Sequence, residues 1–151
     1  KHELLVDICQ SDLLQRTDDR VTEALELDLD LGNQLSHVLL LLAARNSNIS
    51  KLERELIGYV ISSMSTNLSQ GAAQLAFLTN SFYRLYNHDP SQLKPGLTPQ
   101  FCAEMTVGMT NAITLNWLHN DDYDTQERFE NLVFFLKNSM VQESALPLEP
   151  N

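Results

Sequence analysis

The chain has 151 residues, 43% of them hydrophobic, which suits one domain that buries roughly 70% of the surface its unfolded form exposes. Its 20 acidic against 10 basic side chains give a formal net charge of -10 with no cluster of lysines or arginines, so a nucleic-acid backbone repels it; the acidity chiefly serves solubility and suppresses non-specific association, with attraction of a cationic small ligand the second reading. Cys9 and Cys102 sit in apolar helical stretches and form neither an extracellular disulfide framework nor a C-x-x-C metal clasp, which predicts a reducing, cytoplasmic setting.

Leu5, Cys9 and Leu13, then Leu14, Val21, Ala24 and Leu25, recur at helical spacing and predict a first helix from Lys1 to about Leu27. At ~1.5 Å per residue it spans roughly 40 Å, a length that can carry movement across a domain. The chain opens at Lys1 without methionine on residues that already read as helical, so the start of a larger protein is expected to lie ahead of it. Leu27 to Gly32 alternates leucine and aspartate, but it has no second strand candidate to pair with and reads as a loop ending at Gly32. Glu26, Asp28 and Asp30 look superficially like a calcium loop. Counted from Glu26, however, Gly32 misses the turn position and His37 stands where the closing carboxylate belongs.

Gln34 to Arg45 contains His37 and then an apolar run from Val38 to Ala44, the signature of a buried core helix. Ser50 and Glu53 form a capping box that starts a third helix at Lys51 and carries it through Leu56, Tyr59, Val60 and Ser63 to about Met64. Ser69 is the predicted cap of a fourth helix, whose Leu75, Leu78, Phe82 and Leu85 mark one stripe, with Phe77 and Tyr83 widening it. Pro90 ends it. Thr98 caps a fifth helix with Pro99 in the first helical position, where its missing amide costs nothing. Asn120-Asp121-Asp122 turns the corner, and Asp124 with Glu127 opens a sixth helix. The domain is read as residues 1–143, with a disordered tail over 144–151 rich in proline.

Between Phe101 and Leu118 the only charged side chain is Glu104. A helix without a face suited to water must be covered on opposite sides at once. One side meets its own domain, and a second copy of the chain is the simplest cover for the other, since symmetric dimers are the commonest oligomer. The sequence thus predicts an all-α homodimer whose interface is formed by Thr110, Trp117, Phe129, Leu132, Val133 and Leu136.

Catalytic and metal motifs are sparse. No histidine has the glutamate three residues before it that a carboxylate-bridged di-metal site uses, and no phosphate-cradling glycine loop or G-x-S-x-G elbow occurs. No metal, cofactor or membrane span is expected. Cys9, His37, Tyr59, Ser63, Phe77, Met105 and Met109 together offer the thioether, aromatic and hydroxyl surface of a pliable pocket for a small apolar or amphipathic molecule, cationic ones included. Singly, each is more often plain core. His37 has two readings, a pocket group or a ring satisfied by a neighbouring carbonyl.

Lys1-His2-Glu3-Leu4-Leu5 resembles the start of the fourth helix of TetR-family transcriptional regulators. Gly108-Met109-Thr110-Asn111-Ala112-Ile113-Thr114-Leu115-Asn116-Trp117-Leu118, followed by His119-Asn120-Asp121-Asp122-Tyr123-Asp124, resembles that family's penultimate helix and the acidic corner before its last one. Leu93-Lys94-Pro95-Gly96-Leu97-Thr98-Pro99 is similar to the loop before it. The resemblance implies a six-helix regulatory domain with its last two helices in a four-helix-bundle dimer. It also implies a small effector among the middle helices, and DNA contact made only by a helix-turn-helix domain that this sequence lacks. Two other readings are an adaptor that grips a different protein through the apolar helix face, and a small enzyme using His37 or His119 as acid or base.

Overall fold

The computed structural model describes residues 2–66 and 68–143; of residues 2, 3, 5, 6, 9, 10, 63–65 and 70 it describes the backbone alone. Six helices follow one another: α1 (His2–Glu26), α2 (Leu31–Ser47), α3 (Lys51–Thr66), α4 (Leu68–His88), α5 (Pro99–His119) and α6 (Thr125–Met140), with a short 3-10 turn at Pro90–Gln92. The fold is all-α. Among the described residues the one β-type pairing is an isolated bridge between Leu93 and Val141. No described helix is long and apolar enough to cross a membrane. The expected tail over 144–151 lies outside the described residues.

Local chemistry fixes most helix starts. The Ser50 hydroxyl accepts from the Glu53 amide at 3.2 Å while the Glu53 carboxylate accepts from the Ser50 amide at 2.9 Å, so two otherwise orphaned donors are satisfied reciprocally. Thr98 accepts from the Phe101 amide ahead of Pro99, and Asp124 from the Glu127 amide. Two starts differ from the sequence reading. α2 begins at Leu31 rather than Gln34 because Asp30 caps it, accepting from the Asn33 amide at 2.8 Å. The Leu-Asp alternation before it therefore ends in a cap, and Gly32 lies inside the first turn. Ser69, expected to cap α4, is inside a helix that already includes Leu68.

Side chains from α1, α2, α4, α5 and α6 share one core, with Val21, Leu35, Leu39, Phe82, Leu85, Tyr86, Cys102, Phe129 and Leu136 all but sealed from solvent. Tyr86 joins three helices there. Thr106 donates to the Cys102 carbonyl at 2.8 Å, so the Tyr86 hydroxyl donates to Thr106 at 2.7 Å, with the Met140 sulfur 3.7 Å away. Burial pushes that phenol above its ordinary pKa and also raises the Cys102 thiol, which is a free, protonated core residue. On the other side of α4, Asp18 of α1 accepts from Ser81 at 2.6 Å and from Arg84 at 2.7 Å, a clamp that holds α1 against α4.

Beyond α6 the chain docks on the loop before α5, with the Lys94 amide donating to the Met140 carbonyl and the Gln142 amide to the Gln92 carbonyl, each at 2.8 Å. Gly96 turns that loop with φ of 87°, and nothing lies within 4 Å of an added Cβ. Gly96→Ala should therefore cost backbone strain alone, about 1 kcal/mol. Calorimetry should read this as a fall in Tm of ~2–4 °C.

Candidate functional site

Where the six helices converge they leave a cavity of about 100 Å³, and every one of them supplies part of its wall. α1 gives Leu13, Leu14 and Thr17, α2 gives Leu42 and Arg45, α3 gives Ile57, Val60 and Ile61, α4 gives Gln74, Leu78 and Phe82, α5 gives Val107, Thr110 and Thr114, and α6 gives Phe129. The spacing explains why these positions point inward. Gln74, Leu78 and Phe82 recur every four residues on α4, and Thr106, Thr110 and Thr114 do so on α5, each set lying along one helix face. The wall is chiefly apolar, and among the described residues it carries no histidine, cysteine, aspartate or glutamate.

Asn46 and Asn111 also line it, and its remaining uncharged polar groups fall into two kinds. Thr17 and Thr114 are satisfied, each donating back to a carbonyl four residues earlier, at 3.3 and 3.0 Å. Gln74 is not. The residue is only 4% exposed, yet neither its amide nitrogen nor its amide oxygen has a hydrogen-bond partner, and the buried Thr110 hydroxyl has none either. Orphaned buried polar atoms are rare, and each costs its full desolvation. Gln74→Leu should accordingly stabilise the protein by roughly 1–3 kcal/mol. Calorimetry would then give a higher Tm for the variant, and a lower one would mean that the amide already has a partner.

Among the described residues Arg45 supplies the sole charge on the wall. No carboxylate lies within ion-pair distance of it among the described residues. Burial lowers its pKa, the nearby Arg16 adds to that, and Asp12 and Glu53 oppose it. A guanidinium nevertheless stays charged. Among the described residues a cationic ligand meets no counter-charge in this cavity and one like charge.

Beside the cavity, an open groove of about 1060 Å³ runs between α3 and the C-terminal half of α5, and Ile61 belongs to the walls of both. Arg54 ties the groove's end together. It pairs with Asp121 at 2.6 Å, lies 5.0 Å over the Trp117 ring and donates to the Trp117 carbonyl.

The residues expected to line a pocket are placed elsewhere. Tyr59 is 53% exposed, Phe77 and Met105 are partly exposed and off the cavity wall, and Met109 is half-buried against the core without reaching that wall. His37 lies in the seam between α1 and α2, its Nε2 buried, 3.6 Å from the Glu23 carboxylate and without a hydrogen bond, so a carbonyl does not satisfy that nitrogen. The side chains of Cys9 and Ser63 are outside the described residues. No family model, curated protein or solved structure matches the chain.

The expected interface residues also need correction. Trp117, Phe129, Leu132, Val133 and Leu136 are buried within the single chain, and Thr110 faces the cavity. Packed inside their own chain, these side chains leave little surface for a second subunit. The open side of α5 instead presents Phe101, Met105, Gly108, Ala112, Leu115 and His119, which recur at the alternating three- and four-residue steps of a helix-packing seam. Phe134 of α6, 71% exposed, and Phe135 are also open to solvent.

Proposed function

We propose that the chain is the effector-binding and dimerisation domain of a TetR-like transcriptional repressor, a sensor rather than an enzyme. The observation that supports this most is the cavity with its unpaired Gln74 and Thr110, because buried hydrogen-bonding groups in an apolar hollow fit a bound small molecule better than they fit a core. A wall whose described residues include no carboxylate, imidazole or thiol suits binding more than chemistry.

The effector acts through α1. Leu13, Leu14 and Thr17 are cavity wall, and the next residue, Asp18, is clamped to α4, so a molecule that needs more room presses on the helix beside its anchor. A helix-turn-helix ahead of α1 would feel that displacement as a change in the spacing of two DNA-reading heads, which must sit about 34 Å apart to share an operator. The second copy packs against the open side of α5, with Phe134 and Phe135 of α6 at its edge. The same face would also serve an adaptor, in which case the chain alone stays monomeric.

Hydrogen exchange tests the coupling. Saturation with benzamide or ethylbenzene, compounds of the size of one ring, should change the protection of the α1 amides from residue 13 to 18. Bound compound with unchanged exchange in α1 would overturn the role given to that helix.

A further inference from the structure

Resting on that reading of the cavity, we infer that the effector is a neutral, mainly apolar molecule carrying a carboxamide or lactam, held by the Gln74 amide and the Thr110 hydroxyl. The unpaired atoms set the requirement. Gln74 leaves both a donor and an acceptor without partners, and these lie in one plane at fixed separation. A ligand that meets both at once must present an acceptor and a donor in a plane of its own, as another amide does. Thr110 can then donate to, or accept from, the remaining site on that group.

Other classes satisfy the wall less well. A hydrocarbon leaves all three atoms orphaned. A carboxylic acid is ionised at neutral pH and becomes acceptor-only, so it can meet the Gln74 nitrogen while setting a negative oxygen against the Gln74 carbonyl. Arg45 gives an anion some attraction, but it is partly open to solvent and has Asp12 and Glu53 acting on it, whereas the unpaired Gln74 atoms are sealed from water. A cation faces Arg45 with no carboxylate on the wall. Size points the same way, since an apolar cavity of roughly 150 Å³ accepts one benzene ring. About 100 Å³ is smaller still, so a ring bearing one small group fills it and must press its walls outward, as the displacement of α1 requires.

Four probes of nearly one shape separate these classes: ethylbenzene, benzamide, benzoate and benzamidine, titrated into the chain and followed by NMR. Benzamide should bind about tenfold more tightly than each of the others, the weight of one net hydrogen bond. Gln74→Leu should remove that preference while keeping or improving ethylbenzene binding, a result that a merely unfolded variant would not give, and Thr110→Val should remove part of it. Equal binding of ethylbenzene, or tightest binding of benzoate or benzamidine, would overturn the ligand class and leave the sensor reading standing. Binding of none of the four would overturn both.

Discussion

Val133→Asp should cost the chain much of its fold rather than merely divide a dimer. Val133 is 8% exposed and belongs to the core cluster on the inner side of α6 with Phe129, Leu132 and Leu136. A carboxylate there is taken out of water without a partner, which costs about 3–5 kcal/mol against a total stability of about 5–15 kcal/mol for a domain. Thermal unfolding followed by circular dichroism should shift down by ~10 °C or more, or lose its cooperative step. The pH dependence has a definite sign. Burial raises the introduced carboxyl's folded pKa above its unfolded value of about 3.9, so the damage is fullest above the raised pKa and eases as the pH falls towards the unfolded one. A variant that keeps the parent Tm and changes only in mass would show that Val133 lies at a subunit interface after all.

Phe134→Glu combined with Leu115→Glu should have the opposite signature. These side chains are 71% and 41% exposed, so removing them leaves the single chain's stability within about 0.5 kcal/mol. In a two-fold dimer each substitution meets its own copy or its neighbours across the axis, and four carboxylates enter one apolar seam. Sedimentation should show a folded species of 17.1 kDa that still unfolds in one cooperative step, its Tm lowered only by the lost association. Retention of a dimer would move the interface away from α5 and α6.

The contrast between Val133 and the pair Phe134 and Leu115 shows what the sequence could and could not convey. Capping is local chemistry, so Ser50 with Glu53, Thr98 with Pro99, and Asp124 announce their helices within four residues. Periodicity likewise gave six helices and their order. What it could not resolve is which neighbour an apolar face meets, because hydrophobic burial is non-directional and Val133 would read the same against its own bundle or a twin. The cavity was harder still. Aromatic and thioether residues such as Tyr59, Phe77 and Met105 attract attention by type, yet they lie on outward faces. The usable signal was register: Gln74 sits four residues before Leu78 and eight before Phe82, a polar side chain in phase with a buried stripe. Leu75, one position later, is exposed, so a stripe that starts at Leu75 runs one residue out of phase at that end.

Every part of the proposed mechanism requires that two copies join through the open side of α5, since a displaced α1 can alter the spacing of two DNA-reading heads only if two are held together. Sedimentation equilibrium of the unaltered chain at micromolar concentration tests this most directly. The expected result is a single species of twice 17.1 kDa. A homogeneous species of 17.1 kDa across that range would contradict it.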